Sequence, residues 1–145
     1  MRSSIFLALV ACLYILSLNA CKSSYTPSTF PKSQLIFGYG GGFAGTVNTY
    51  FLLPDGSLFY LAPGQDEAEL IQKMKKSEAK TFFKEAEELD LQGRNLNAPG
   101  NMYAFVGIKE GEKVHKLIWD KDLGKAPMDL KDFYQRLMKT PTPEM

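Results

Sequence analysis

Residues 46–61 read TVNTYFLLPDGSLFYL and decide the fold of this chain. Two runs rich in β-branched and aromatic residues flank Pro54-Asp55-Gly56. Proline presets φ for a turn, aspartate accepts hydrogen bonds from nearby backbone amides, and glycine accepts a positive φ. The pattern therefore predicts a β-hairpin whose strands are Thr46–Leu53 and Ser57–Leu61.

Further strands are predicted on both sides of this hairpin. Upstream, Gln34–Tyr39 (QLIFGY) is a short apolar run that ends in glycines. Downstream, Met102–Ile108 and Lys113–Trp119 are rich in strand formers, and Lys109–Glu112 (KEGE) joins them. These two runs predict a second hairpin.

Two segments have helical periodicity. In residues 66–89, apolar side chains recur at helical spacing, and a break is expected near Lys76-Ser77 because Ser77 could cap a second helix. Towards the C-terminus the apolar stripe consists of Leu130, Phe133, Tyr134, Leu137 and Met138.

The start of the last helix and the segment before the second hairpin are also predicted. Asp129 is expected to be the N-cap, and Met128 and Phe133 have the spacing of a hydrophobic staple. The composition of Gln92–Asn101 predicts a loop.

The predicted order of elements is β-β-β-α(α)-β-β-α. Because hairpins connect the strands, we expect an α+β fold with an antiparallel sheet of about four to five strands and helices packed on one face. Residues 34–139 form the single domain, and residues 140–145 (TPTPEM) are expected to be a disordered tail.

The N-terminus has the layout of a secretory signal peptide. Arg2 supplies a positive charge, and Ile5–Leu18 is an uncharged apolar run too short for a comfortable membrane span. Leu18-Asn19-Ala20-Cys21 resembles the bacterial lipobox, although Asn19 is a less usual residue at its position. The resemblance implies that residues 1–20 are removed and that Cys21 carries a lipid.

The cysteine content agrees with lipid attachment. Cys12 lies within the leader, so Cys21 is left as a single cysteine that cannot form an internal disulfide. Residues 21–33, rich in Ser, Thr and Pro, are expected to form the lipidated N-terminus and a flexible tether. A plain secreted protein with a free Cys21 thiol is the alternative.

The charge balance excludes some partners. Arg2 is the single charged residue among residues 1–20, so the remaining chain carries equal numbers of basic and acidic side chains. A neutral chain argues against general nucleic-acid binding, which needs surplus Lys and Arg. The absence of an acidic cluster after Cys21 favours a lipoprotein of the outer membrane that faces the periplasm.

The segment Gly38–Gly45 (GYGGGFAG) is the most tempting candidate for a ligand site. It satisfies G-x-G-x-x-G, but a dinucleotide site needs a helix directly afterwards, and Thr46–Leu53 is predicted to be a strand. Val47 completes a kinase-like glycine loop, yet the other kinase motifs are missing from the chain. We therefore expect these glycines to serve a tight connection or close packing, with a ligand-contacting loop as the alternative.

Catalytic and metal sites are not predicted. His115 is the one histidine, and no G-x-S-x-G or S-x-x-K motif accompanies it. Zinc sites need several Cys or His ligands, and Asn95, Asn97 and Asn101 only hint at a calcium loop. We expect no cofactor, no metal and no catalytic residues.

Charged and aromatic side chains have ordinary structural explanations. The carboxylates of Glu85–Asp90 and the lysines of Lys73–Lys76 are expected on solvated helix faces. Aromatic residues in strands are expected mainly in the core, although a groove for a glycan or peptide is the alternative. These aromatic residues are Tyr39, Phe43, Tyr50, Tyr103 and Trp119.

The chain resembles small bacterial lipoproteins of uncharacterised function. The resemblance rests on the lipobox, Gly40–Tyr60 (GGGFAGTVNTYFLLPDGSLFY), Pro99–Tyr103 (PGNMY), Trp119 and the closing helix. It implies an α+β domain on a lipid anchor and brings no activity or functional residues.

These observations predict a lipid-anchored, non-catalytic binding or accessory module of the cell envelope, held to the membrane by Cys21. Its partner is expected to be an envelope protein or a glycan. One alternative is a tethered hydrolase inhibitor that acts through Pro54–Gly56 or Gly40–Gly45. The other is a small hydrolase that uses Ser or Thr with His115.

Overall fold

The structure, a computed structural model, describes residues 25–121 and 126–141. The described residues form an α+β fold with one seven-stranded sheet and two α-helices. The strands are β1 Ser33–Gly41, β2 Thr46–Leu52, β3 Ser57–Leu61, β4 Glu69–Lys73, β5 Asn97–Ala98, β6 Met102–Glu110 and β7 Lys113–Asp120. The helices are α1 Lys76–Glu88 and α2 Met128–Lys139.

The first strand lies at the centre of the sheet, whose order is β4-β3-β2-β1-β6-β7-β5. β1 pairs with β2 along one side and with β6 along the other, both antiparallel. The predicted hairpins are confirmed as β2–β3 and β6–β7. The strand predicted at Gln34–Tyr39 is also confirmed, and it continues through Gly40 and Gly41.

The prediction of four to five antiparallel strands is wrong in number and partly wrong in direction. Residues 69–73, predicted to begin a helix, instead form β4, since they pair with β3 and Met74 N–H donates to Gly56 O. The predicted loop Gln92–Asn101 contains β5, which runs parallel to β7. Pairing with distant strands outweighs the local preference of both short segments.

The predicted helix ends also need correction. α1 begins at Lys76, and its N-cap is Lys75, so Ser77 does not cap it. α2 has Pro127 at its N-cap, whereas Asp129 lies in the first turn and pairs with Arg94. The predicted staple to Phe133 is wrong, because Met128 is largely exposed.

One face of the sheet packs against both helices. Its side chains and those of the helices form a single core that includes Leu35, Phe37, Leu52, Val106, Leu117, Ala79, Ala86, Leu130 and Phe133. Trp119 belongs to this core and meets the ring of Tyr134 edge-on, with ring centroids 5.2 Å apart. Arg136 of α2 also forms a two-pronged salt bridge with Glu85 of α1.

The opposite face explains two of the glycines. In the β1–β6 register, Gly38 lies beside Phe105 and Gly40 beside Tyr103. A methyl group at Gly38 would overlap the carbonyl oxygen of Asn48 and lie 2.9 Å from Phe105 Cζ. Small residues in β1 therefore give these aromatic rings room to lie across the sheet.

Phe30, in the segment predicted to be a tether, also packs on this opposite face. Its ring contacts Phe51 and Phe59, with centroid distances of 5.8 and 4.6 Å. Gly111 N–H donates to Lys32 O, 2.7 Å away, so the chain is held to the β6–β7 turn just before β1 begins. The domain therefore includes residues upstream of its first strand.

The turn at Pro54–Gly56 follows the chemistry predicted for it. Gly56 has a φ of +90°, and Gly56 N–H donates to Leu53 O. The Asp55 carboxylate accepts the Ser57 N–H at 2.9 Å, the Ser57 hydroxyl at 3.0 Å and Lys73 Nζ at 3.2 Å. Burial alone would raise the pKa of Asp55, but these hydrogen bonds and the Lys73 charge lower it below the usual value.

Gly40→Ala should destabilise the protein by about 2 kcal/mol, the range of other overpacked sites. The added methyl group would lie 2.7 Å from Tyr103 Oη and 2.8 Å from Thr46 O. Gly111→Asn is the control, because no described atom lies within 4 Å of its Cβ position and Asn tolerates the φ of +62°. Denaturant unfolding measures both variants, and equal stabilities would contradict the packing role of Gly40.

Asp55→Asn should lower the free energy of unfolding by about 1 kcal/mol at neutral pH, the net contribution of a typical intramolecular hydrogen bond. Because the folded-state pKa of Asp55 is lowered, its contribution is present above the ordinary value of about 3.9 and is lost as pH falls through the folded value. Unfolding measured at pH 7 and pH 3 should therefore show a difference that shrinks in acid. The exposed Asp66→Asn is the control.

Candidate functional site

The glycine-rich turn lies at the end of the sheet that is farthest from the start of β1. β1 runs from Ser33 to Gly41, a length of about 26 Å at about 3.3 Å per residue. Gly42–Gly45 then reverses the chain into β2, and Gly45 N–H donates to Gly42 O at 3.0 Å. We call the surface formed by this turn, Tyr39, Lys121 and the loop 62–65 the distal surface.

Phe43 is the outstanding residue of the distal surface because its side chain is fully exposed. The turn that presents it depends on glycine: φ is +107° at Gly41, +76° at Gly42 and +59° at Gly45. Gly42 N–H also donates to Asn101 O, 2.8 Å away, which fastens the turn to the start of β6. The backbone is thus held in place while the phenyl ring contacts solvent.

A groove runs beside the turn. It has a volume of about 380 Å³ and lies between the turn and the loop that follows β3. Its lining consists of Ala44, Gly45, Thr46, Val47, Thr49, Leu61, Ala62, Pro63, Gly64 and Gln65. None of these side chains is charged, so the groove suits a neutral ligand that combines apolar contact with a few hydrogen bonds.

Tyrosines line the helix-facing side of the same end of the sheet. Lys121 Nζ lies 4.7 Å from the ring centroid of Tyr39, a cation–π contact. Burial, followed by the neighbouring Tyr39 and Tyr60, raises the pKa of Tyr50, and burial raises the pKa of Tyr134 far above its usual range. The Tyr50 and Tyr134 hydroxyls stay protonated at physiological pH and supply no phenolate nucleophile.

His115 forms a hydrogen bond that connects two segments of the fold. Its Nε2 lies 2.8 Å from Arg94 O, and since a carbonyl oxygen only accepts, Nε2 carries the proton. Within the described ranges, no hydrogen bond links this imidazole to a Ser or Thr hydroxyl. The bond instead joins β7 to the segment before β5.

The remaining predicted features are dispersed. Trp119 is in the core, Tyr50 packs against the core, and Tyr103 lies over Gly40, so only Tyr39 and Phe43 of the five predicted aromatics belong to the distal surface. The Pro54–Gly56 turn lies at the Ser33 end of the sheet, and Gly56 is buried.

Neither a metal-binding cluster of His, Cys, Asp and Glu nor a membrane-spanning helix occurs in the described part of the chain. Among residues 25–121 and 126–141, no cluster of His, Cys, Asp or Glu could hold a metal ion. Asn97 lies in β5, Asn95 precedes that strand, and Asn101 directly precedes β6. The same residues contain no helix long and apolar enough to cross a membrane. The predicted leader, the predicted lipid attachment site Cys21 and residues 142–145 lie outside the described residues.

Sequence reasoning identified the glycine segment but missed its neighbours. Lys121 and the loop 62–65 join the distal surface because β1, β3 and β7 all terminate at the same end of the sheet. Pro63-Gly64 was a visible turn signal, whereas Lys121 had no local signal at all.

In comparisons with known proteins, no family model and no curated protein matches the chain. Its function is therefore inferred from its own residues and geometry.

Proposed function

We propose that the protein is a lipid-anchored, non-catalytic binding module of the bacterial cell envelope, and that its distal surface captures another envelope protein. The observation that carries the proposal is the fully exposed ring of Phe43 on a turn held by glycines. Burying a phenylalanine on binding is worth about 1.5–3 kcal/mol, and aromatic anchors of this kind dominate many interfaces.

The position of the turn supports presentation to a partner. The proposed lipid on Cys21 precedes β1, and Phe43 follows the opposite end of that strand. A domain attached through its N-terminus thus directs Phe43 away from the attachment point. We propose a location on the outer membrane facing the periplasm, because no acidic cluster follows Cys21.

The chemistry of the groove on the distal surface supports a protein partner over a charged ligand. The groove next to Phe43 has no charged lining residue, so it lacks the cations that would hold a phosphate. Thr46, Thr49 and Gln65 offer hydrogen bonds to a peptide backbone beside the apolar anchor. A glycan could use the same groups and is the second outcome to test.

Lipid attachment is tested first by labelling. Full-length protein expressed in bacteria should incorporate labelled palmitate and remain with the membrane fraction, whereas Cys21→Ser should lose the label. The physical reason is that the thioether requires the Cys21 sulfur, and several acyl chains hold a protein on a membrane. Cys12→Ser is the matched control and should label normally; equal labelling of Cys21→Ser would refute the anchor.

The role of Phe43 is tested by site-specific photo-crosslinking in intact native cells. A photoreactive phenylalanine analogue at position 43 should give one predominant protein adduct, and the analogue at position 114 should not. Val114 is the control because it is half exposed on another part of the sheet. Phe43→Ser should also lose at least about tenfold in partner recovery, since about 1.4 kcal/mol is a factor of ten.

The identity of the adduct separates the remaining alternatives. Capture of a hydrolase would favour the tethered inhibitor, and capture of another envelope protein would favour an accessory module. Identical adducts at positions 43 and 114, or none at position 43, would contradict binding of a protein through the distal surface. Recovery of a glycan cross-linked to the same turn would indicate that the ligand of the distal surface is a carbohydrate.

A further inference from the structure

The strand β4 is an open edge of the sheet. It pairs with β3 on one side, no described strand pairs with its other side, and all five of its residues are exposed. The opposite edge of the sheet is the two-residue strand β5, which is too short to pair well with another chain. Leu70 and Ile71 add apolar surface to β4, with 53% and 42% of their area exposed.

The charged residues around β4 lie at symmetric distances from Ile71 and have opposite signs on its two sides. Three carboxylates precede Ile71 and three ammonium groups follow it at the same three separations along the chain. The oppositely charged positions are Asp66 and Lys76, Glu67 and Lys75, and Glu69 and Lys73. One end of the edge is therefore acidic and the other end is basic.

We infer that β4 pairs with β4 of a second copy of this chain, antiparallel and around a two-fold axis near Ile71. In this arrangement the acidic end of each strand meets the basic end of the other, and the exposed apolar residues meet at the centre. A parallel pairing would instead place like charges side by side. The charge pattern thus selects both the partner and its direction.

A bulge in β4 determines where the charged side chains lie. A register shift in the β3–β4 ladder pairs Leu58 with Gln72 and Phe59 with Leu70, so Ile71 has no partner on β3. This bulge places Glu69 and Lys73 on opposite faces of the sheet. The attraction therefore acts between the ends of the two strands, rather than within fixed side-chain pairs.

Charges on an edge strand also protect proteins from aggregation. Protection needs only charge, in any order along the strand. Separation of the acidic and basic residues into two halves of the edge goes further, because it disfavours parallel pairing and favours antiparallel pairing. That order is what a self-complementary edge requires.

The pairing is expected to be weak in free solution. A five-residue edge buries less than the roughly 1,200 Å² of a stable interface. Copies held on one membrane would reach a high effective concentration, which favours such contacts. This last point rests on the lipid anchor proposed above, whereas the edge contact itself does not.

The test uses full-length chains in intact cells, expressed with two tags of different size. Ile71→Cys should give a cross-linked dimer with a short bis-maleimide, because two copies of residue 71 face each other across the axis. Val114→Cys, similarly exposed on β7, is the matched control, and the chain without an added cysteine gives the background. Dimer yield is read on a gel.

Charge reversal then tests the direction of pairing. In the Ile71→Cys background, Glu67→Lys with Glu69→Lys should lower the dimer yield at least about fivefold, the effect of roughly 1 kcal/mol. Lys73→Glu with Lys75→Glu should do the same. Co-expression of the two charge-reversed chains should restore cross-linking between the two tags, because one edge is then basic and the other acidic.

Several results would overturn the inference. These are equal yields from Ile71→Cys and Val114→Cys, an unchanged yield after charge reversal, and an adduct with a different protein in place of a second copy. Lys73 also pairs with Asp55, so its reversal could disturb the fold. Thermal unfolding shows whether each variant is folded. If the Lys73→Glu, Lys75→Glu variant is unfolded, the dimer yield of the Glu67→Lys, Glu69→Lys variant tests the inference alone.

Discussion

The close packing of β1 against β6 is the constraint on which the rest of the structure depends. β1 is the single strand that joins the β2–β4 half of the sheet to the β6–β7 half among the described residues. At Gly38 and Gly40 the packing requires the absence of a side chain, because backbone carbonyls of β2 and the rings of Phe105 and Tyr103 on β6 occupy that space. Larger residues there would push the two halves apart.

The same strand separates the N-terminal segment of the domain from the glycine-rich turn. Its first residue, Ser33, follows the segment that packs through Phe30, and its last residue, Gly41, leads into the turn that carries Phe43. Glycines thus have two separate roles along one strand. In the middle they allow close packing, and at the end they permit the positive φ values of the turn.

The two proposed contacts use different parts of the sheet and different physics. The distal surface offers an exposed aromatic ring beside a neutral groove, which suits an apolar anchor in a partner. The edge β4 offers backbone hydrogen-bonding groups flanked by segregated charge, which suits a second copy of itself. Neither contact depends on His115. The Nε2–H of this residue donates a hydrogen bond to Arg94 O within the fold.

The sequence by itself determined the two hairpins, the α+β class, the C-terminal helix and the prediction of a lipid on Cys21, which remains a prediction. Those structural features depend on neighbouring residues: turn chemistry at Pro54–Gly56, and an apolar stripe at helical spacing. Tertiary structure alone decided β4, whose helical pattern gave way to pairing with β3. It also decided which ring lies over Gly40 and that Phe43 faces solvent, because both follow from contacts between residues far apart in the chain.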